Sequence, residues 1–299
     1  MKGVGNIMKV LKWLLKTILG LVITVAIIIG GVFLFVKIKY DINPFALISE
    51  VNILNKEVNE NELFTNKFTQ EDMASAKQVA DAHMPGLITY DEENATYKIG
   101  DGASAPLALK NMNLTDKQCG AILNNLVSQD ASNAQVTIGD KTIDINLVQL
   151  SFVKLDIAAK TVTINIVVKI DLSTIKADWK SFPMSYVAKK VPNTMFFSST
   201  LDVKKLDNAF SYEVSSNDLT INNLNSEQTK DFVKALNAFS KVGTSEELNV
   251  KIGQAFVDGL IGYDDNHKGF AYALKTLGVK DYNFELKDEI IYFVLIPKI

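Results

Sequence analysis

An uncharged, mostly apolar segment lies near the N-terminus. Between Thr17 and Val36 no side chain is charged, and only Thr17 and Thr24 are polar. A helix rises about 1.5 Å per residue, so about twenty residues cross a hydrocarbon core of about 30 Å. The segment therefore predicts a transmembrane anchor over residues 17–40. Gly30-Gly31 fits such a helix as a slim point, with helix–helix pairing through it as the alternative.

The distribution of lysines predicts the orientation of this anchor. Four lysines lie within residues 1–16, whereas Lys37 and Lys39 follow the span. Because positive charge is enriched on the inner side of membranes, residues 1–16 are predicted to be a cytoplasmic basic segment. A cleaved signal peptide would have a shorter apolar core that ends in small residues, which this segment lacks. We therefore expect an uncleaved, single-pass anchor in the plasma membrane, with the C-terminal domain extracytoplasmic.

Beyond the anchor, alternating apolar and polar residues predict antiparallel hairpins. Residues 161–171 alternate with only Val167 out of step, and residues 142–152 begin the same way. A period of two is that of a strand with one buried face. Residues 156–160 would turn one strand into the other. Two more hairpins are predicted, one joining 196–206 to 210–221 at Asp207-Asn208 and one joining 282–286 to 290–296.

Helix signals lie before, between and after these strands. Capping boxes at Thr69, Thr115 and Thr244 begin helices that are predicted to end near residues 83, 128 and 260. Apolar residues recur on one face of residues 226–240, which predicts an amphipathic helix there. A short helix over residues 267–277 would precede the closing hairpin.

Together these elements predict an α+β fold in residues 69–299. We expect a largely antiparallel, curved sheet of long strands that is packed by two or more helices, because hairpins join most of the strands. Residues 41–68 are predicted to be a stalk, a linker or a helical lead-in. The pattern leaves open whether the helices cover the whole apolar face of the sheet.

Charge and cysteine content narrow the range of partners. After residue 40 the chain holds 34 acidic residues and 25 lysines, a net charge of −9, and it contains no arginine. Such a surface repels nucleic acid on average, so no nucleic-acid partner is predicted. The lack of arginine is read as a genomic bias toward A and T. The single cysteine, Cys119, cannot form an internal disulfide and is expected to be a buried, unreactive thiol.

Candidate catalytic side chains are few. The two histidines, His83 and His267, belong to no recognisable catalytic set, and the chain lacks nucleophile-elbow, zinc-protease and phosphate-loop motifs. Residues 263–269 bring two aspartates, an asparagine and His267 together, but the spacing fits no calcium loop and is ordinary for a turn. We therefore predict no enzymatic activity, no metal and no cofactor, with an envelope hydrolase as the alternative.

Several short, non-catalytic motifs in the C-terminal half resemble those of a known family. They are a helix near 114–127, the strand pair 143–170, residues 219–224 leading into a helix, and the closing segment 286–290 with Pro297-Lys298. Over roughly residues 110–299 the chain resembles the YpmS-like family of anchored, β-rich extracytoplasmic proteins. The resemblance implies an anchor and a β-rich outer domain, but it carries over no activity and no functional residue. The chain differs from the family pattern in its helix at 244–260 and its longer lead-in.

The leading functional hypothesis is a membrane-anchored binding module at the cell envelope. The anchor, the one-sided strands and the lack of catalytic sets favour a protein that holds lipid or another apolar ligand on the sheet. The alternative is a structural or scaffolding protein that binds an envelope protein. The predicted lining of the apolar site is Ile164, Ile166, Val168, Leu201, Val203, Phe232 and Phe256. For each of these residues the competing interpretation is a closed core.

Overall fold

The chain divides into two units, residues 1–49 and residues 50–299. The structure is a computed structural model that describes residues 41–99, 112–129, 135–138, 141–177, 180, 184–240, 243–261 and 279–297. In the described part of the first unit a helix begins at Pro44. Asn43 precedes it and accepts a hydrogen bond from the backbone N–H of Phe45 through Oδ1, at 3.1 Å. The second unit holds all of the described strands.

Helices and strands are mixed along the chain. The helices are α1 (Pro44–Leu54), α2 (Glu60–Leu63), α3 (Gln70–His83), α4 (Asp116–Gln129), α5 (Ser173–Lys176), α6 (Met184–Lys190), α7 (Ser226–Ser240) and α8 (Ser245–Ile261). The strands are β1 (Ile88–Asp91), β2 (Thr96–Ile99), β3 (Met112–Leu114), β4 (Gln135–Ile138), β5 (Lys141–Asp156), β6 (Thr161–Asp171), β7 (Thr194–Lys205), β8 (Tyr212–Ile221), β9 (Val279–Lys287) and β10 (Ile290–Pro297).

The largest sheet has five antiparallel strands in the order β4-β5-β6-β7-β8. Each strand pairs with the next one along the chain, as expected for connections made by hairpins. The predicted hairpins at 156–160 and at Asp207-Asn208 are both present. β6 runs for 11 residues and β7 for 12, close to the predicted lengths. β5 runs for 16 residues and continues to Asp156, beyond the predicted end at residue 152.

The two faces of this sheet differ in polarity. On β6 the residues of one face are buried, whereas the other face carries half-buried threonine and asparagine side chains and exposed Lys169 and Asp171, with only Val167 buried. The buried set is Val162, Ile164, Ile166, Val168 and Ile170. α4 packs against β5, and α8 packs against β7 and β8. This is an antiparallel sheet with one covered face and one wet face, and the predicted α+β class is confirmed.

All three predicted capping boxes begin helices. Thr69 Oγ1 accepts from the N–H of Asp72, whose carboxylate accepts from the N–H of Thr69 in return. Thr115 makes the same reciprocal pair with Gln118 at α4. Thr244 does so with Glu247 at α8, with distances of 2.9 and 3.1 Å. These bonds satisfy backbone donors that the first turn of a helix leaves without partners.

A smaller sheet of three strands has the order β3-β10-β9. The strands β9 and β10 form the predicted closing hairpin around Asp288 and Glu289, which have φ of 51° and 65°. Aromatic rings of Tyr282, Phe284 and Phe293 pack together on this sheet, with centroids 5.4–6.0 Å apart. β1 and β2 form a separate two-stranded hairpin.

Some predicted elements lie where the structure gives no description. The predicted anchor at 17–40 and the helix at 267–277 are outside the described residues. Among those that are described, no helix is long and apolar enough to cross a membrane. Residues 50–68, within the predicted stalk or helical lead-in, include the end of α1 and all of α2, and Val51 and Leu54 are fully buried.

Candidate functional site

The apolar sheet face that was the predicted ligand site lies beneath helices. Six of its seven predicted lining residues are described, and all six are buried. They are Ile164, Ile166, Val168, Leu201, Val203 and Phe232. Phe256 belongs to α8, but its side chain lies outside the described part of the structure. The described side chains are therefore part of the core beneath α7 and α8.

Two glycines show how closely the helices approach this face. A Cβ added at Gly253 of α8 would overlap the methyl groups of Leu201 on β7. A Cβ added at Gly120 of α4 would lie 2.7 Å from Phe68 Cδ1 and 3.3 Å from Leu150 Cβ. Cβ atoms essentially never lie within 3.0 Å of a non-bonded heavy atom, so a larger residue at either position would force Phe68 or Leu201 to move. At both points the helix backbone rests directly on core side chains, with no space for an acyl chain.

A buried amide closes the same face between α8 and the sheet. Asn249 Nδ2 lies 3.3 Å from the carbonyl oxygen of Thr200, 2.7 Å from Ser216 Oγ and 2.8 Å from the carbonyl oxygen of Asp218. Its Oδ1 accepts a hydrogen bond from Ser199 Oγ. The register of β7 against β8 shifts beside Thr200. The Asn249 amide therefore hydrogen-bonds to backbone carbonyl groups that the interrupted strand pairing leaves without partners.

Exposed apolar side chains gather elsewhere, where the tip of the β9–β10 hairpin meets β5. Val153, Leu286 and Ile290 are 59%, 56% and 46% exposed, respectively. They line one groove of about 680 Å³, which we call the hairpin groove. Leu155 and Ile291 add to its apolar lining. Clustered exposed apolar residues of this kind mark interaction sites more often than isolated ones do.

A bulge in β5 places Val153 in the hairpin groove. The register of β5 against β6 shifts between Phe152 and Lys154, so Val153 has no opposite residue on β6. The preceding residue, Phe152, turns inward and packs edge-on against Phe284, with ring centroids 5.6 Å apart. Because of this extra residue, Phe152 points into the core and the next residue, Val153, points to the surface.

A tight turn places the other apolar residues of the groove. Asp288 and Glu289 both have positive φ, which is the geometry of a two-residue type I′ turn. The turn pairs Lys287 with Ile290 and Leu286 with Ile291. Because neighbouring residues of a strand point to opposite faces, Leu286 and Ile291 share one face of the hairpin and Ile290 lies on the other. The tip therefore offers apolar side chains on both faces.

The start of α4 forms one wall of the groove and fixes the edge of β5. Asp116 Oδ2 accepts hydrogen bonds from the backbone N–H of Phe152 at 3.3 Å and from Asn66 Nδ2 at 2.9 Å. Asn66 Nδ2 also lies 3.0 Å from Ser151 Oγ. A strand N–H that would otherwise face outward is therefore bonded to a helix carboxylate. This keeps the bulge, and with it Val153, in a fixed place.

Charged side chains of both signs also line the hairpin groove. They are Asp72, Asp116, Lys117, Lys154 and Glu289. Asp72 belongs to the capping box of α3, and Gln118 of α4 donates from Nε2 to Ser75 Oγ of α3 at 2.9 Å. The groove lining therefore combines apolar side chains with charged ones, as protein–protein interfaces do.

A second cavity lies under residues 55–67, a segment that we call the strap. Phe64 of the strap packs edge-on against Phe196 at 5.1 Å, and Lys67 forms a bridge to Gln149 at the edge of β5. The cavity has a volume of about 1030 Å³. Its charged lining residues are Lys56, Glu57, Glu60 and Lys169. Because both signs are present along with several amides, this lining selects neither an apolar ligand nor one of a single charge.

The described residues do not assemble a catalytic or metal site. Within them, no group of three or more His, Cys, Asp or Glu could hold a metal ion. His83 lies in the last turn of α3, whereas His267 and the predicted turn at 263–269 are outside the described residues. Cys119 is buried, and burial together with the nearby Asp116 carboxylate raises the pKa of its thiol. The thiol therefore stays protonated and is a weak nucleophile.

Two apolar doublets in the sequence mark the hairpin groove, although the predicted site did not include them. Phe152-Val153 breaks the alternation of β5, as a bulge does, and Ile290-Ile291 follows directly on a Lys-Asp-Glu turn. Each doublet must expose one of its two members if the other is buried. Their meeting in one groove depends on contacts between β5 and the hairpin, which are far apart in the chain.

Comparisons with protein-family models, with curated proteins and with solved structures gave no match. The resemblance to the YpmS-like family therefore stays a prediction from the sequence.

Proposed function

We propose that this chain is a membrane-tethered binding module of the cell envelope, and that the hairpin groove holds an apolar segment of a protein partner. The observation that carries the proposal is the cluster of Val153, Leu286 and Ile290, which are exposed together around one groove. Exposed apolar clusters that lie among polar side chains are typical of partner-binding surfaces. The uncharged run at residues 17–36 supplies the tether.

A protein segment suits the groove better than a free acyl chain does. The groove is lined both by apolar side chains and by charged residues of both signs. A peptide offers apolar side chains to the former and polar groups to the latter, whereas an acyl chain offers nothing to the charged residues. The sheet face that would have enclosed an acyl chain has Gly253 and Asn249 against β7 instead.

A small apolar ligand is the second candidate for the same groove. The groove volume of about 680 Å³ falls within the range of roughly 300–1,000 Å³ that is typical of small-molecule sites. In that case an acyl lipid would lie along Val153 and Leu286. The two candidates differ in what co-purifies with the chain, so one preparation can separate them.

The test is recovery of bound material with the full-length chain extracted in mild detergent from its own cells. The variants Val153→Asp and Ile290→Asp place a charge in the groove. Asn217→Asp is the matched control, because Asn217 is an exposed residue of β8 with no opposite residue on β7. We expect a stoichiometric protein with the wild type and with Asn217→Asp, and at least tenfold less with either groove variant. Native mass spectrometry, followed by lipid extraction, would instead show an acyl lipid if the second candidate holds. Equal recovery of every component from all four chains would contradict a role for the groove.

A further inference from the structure

Among the described strands β9 pairs with β10 alone, so within the described part of the chain its outer edge has no strand partner. The two-residue turn makes Lys287 and Ile290 a hydrogen-bonded pair, so alternate residues along β9 direct their backbone groups away from β10. These residues are Leu286, Phe284 and Tyr282. The N–H of Tyr282 confirms this alternation, because it bonds to Asp281 Oδ1 at 2.8 Å and not to β10.

We propose that two copies of this chain associate through β9, with the strands antiparallel about a two-fold axis at Phe284. Phe284 then lies opposite the second copy's Phe284, and Leu286 lies opposite the second copy's Tyr282. These are the residues whose backbone groups face outward, so their donors and acceptors are in register. The N–H of Tyr282 would exchange its bond to Asp281 Oδ1 for one to the carbonyl oxygen of the second copy's Leu286. The three-stranded sheets of the two copies join into one sheet of six strands, an isologous contact.

The charges along β9 are complementary to themselves in this register. Lys287 faces the second copy's Asp281, and by symmetry this pair occurs twice. Glu285 faces the second copy's Asn283, so no two like charges are opposed. Lys287 and Glu285 are exposed, and Asp281 is half-buried beside Lys205 at 3.3 Å. Opposite charges across neighbouring strands stabilise a pairing, and residues in these non-hydrogen-bonded positions have the closest side chains.

Neighbouring registers are disfavoured by the same charges. A shift of one pairing step in one direction places Glu285 opposite the second copy's Asp281, twice. A shift in the other direction places Glu285 opposite itself. Like charges directly opposite one another destabilise a strand pair. The proposed register is therefore favoured by the Lys287–Asp281 pairs at its ends. The two neighbouring registers are disfavoured by repulsion between acidic residues.

Pairing through β9 also covers Leu286, which is 56% exposed in the single chain. Leu286 also lines the hairpin groove, so the two surfaces share this residue. Pairing uses the backbone edge and the charges of β9, whereas the groove proposal is tested at Val153 and Ile290. The two proposals can therefore fail separately.

The experiment uses the full-length chain in detergent and measures association by sedimentation at micromolar concentration. Lys287→Glu and Asp281→Lys each create two like-charge pairs, so each variant alone should dimerise about tenfold more weakly or worse than the wild type. An equimolar mixture of the two variants restores opposite charges at both ends and should recover dimers. Circular dichroism and melting of each variant check that it is folded. Association through the membrane helices would respond to neither variant.

A second measurement does not depend on the charge variants. Asn283→Cys and Glu285→Cys chains are mixed under mild oxidation, since these residues are opposed in the proposed register. We expect a covalent dimer in the mixture, and none from Glu213→Cys, an exposed control on β8. A monomeric wild type, dimers that are unaffected by both charge variants, or no recovery on mixing would overturn the proposal.

Discussion

Phe152 and Phe284 pack edge to face with ring centroids 5.6 Å apart, and this contact joins the five-stranded sheet to the closing hairpin. The residues that follow, Val153 on β5 and Leu286 two positions along β9, are both exposed in the hairpin groove. The buried contact therefore determines where the exposed residues meet. Phe152 and Phe284 contribute to stability, and their neighbours Val153 and Leu286 are proposed to bind the partner. Substitutions can therefore test the two roles separately.

Phe152→Ala should destabilise the chain, whereas Val153→Ser should not. Removing the half-buried ring of Phe152 leaves a cavity beside Phe284, with an expected loss of about 2 kcal/mol in the free energy of unfolding. Val153 is 59% exposed, so its replacement by serine should change that free energy by less than about 0.5 kcal/mol. Urea denaturation of the full-length chain in detergent measures both. A loss at Val153 equal to that at Phe152 would place Val153 in the core.

Asn249→Ala should be among the more costly single substitutions in the second unit. It removes the amide that serves Ser199, Ser216 and the carbonyl groups at the β7–β8 bulge, and it leaves buried polar groups without partners. We expect a loss of about 3 kcal/mol. Gln254→Ala on the same helix is the matched control, because Gln254 is only half-buried and bonds to the Tyr212 hydroxyl. Similar losses at the two positions would show that the bulge does not need Asn249.

Gly253→Ala tests the close contact between α8 and β7. The added methyl meets Leu201, so we expect a loss of about 2 kcal/mol despite the higher helix propensity of alanine. The double variant Gly253→Ala with Leu201→Ala should lose less than the sum of the two single variants, because the truncated Leu201 makes room for the methyl. Strict additivity in this double-mutant cycle would indicate that the two residues are not in contact.

The sequence predicts the elements of this fold well and its functional surface poorly. Capping boxes at Thr69, Thr115 and Thr244 depend on residues three apart, and the alternation in β6 depends on neighbours, so both are readable from the chain. Whether the apolar face of β6 is covered depends on how closely α8 approaches Leu201. Gly253 permits that approach, but a glycine within a helix pattern does not reveal what lies opposite it.

The hairpin groove was missed for a similar reason. The doublet Phe152-Val153 signals an irregular strand, but not which residue turns outward. That choice follows from the contact of Phe152 with Phe284, 132 positions later in the chain. Contacts between segments so distant in sequence are set by the tertiary fold, and a single sequence carries no direct trace of them.

Stability should depend on pH through Glu50. This residue is 4% exposed on α1, and burial, with the like charge of Asp231 on α7 adding to it, raises the pKa of its carboxyl group to about 7. Between the ordinary value of 4.5 and about 7 the folded chain binds more protons than the unfolded chain. The free energy of unfolding therefore falls as pH rises through this window, by up to about 3 kcal/mol from this residue.

Glu50→Gln checks this assignment. Glutamine keeps the shape of the side chain without a charge, so the fall in stability between about pH 5 and pH 7.5 should become smaller. Glu57→Gln, at a residue in the exposed part of the strap, is the control and should leave the pH profile unchanged. Denaturation midpoints at five or six pH values give the result. An unchanged profile in Glu50→Gln would assign the pH dependence to another group.

The central claim is that the hairpin groove holds a protein partner, and site-specific photocrosslinking tests it most directly. A photoreactive phenylalanine derivative is placed at Val153 in the full-length chain, in living cells, with Ser215 on exposed β8 as the control position. We predict one discrete crosslinked protein band from position 153 that is absent from position 215 and that disappears when Ile290→Asp is added. No protein adduct at position 153, or the same bands from both positions, would contradict the account.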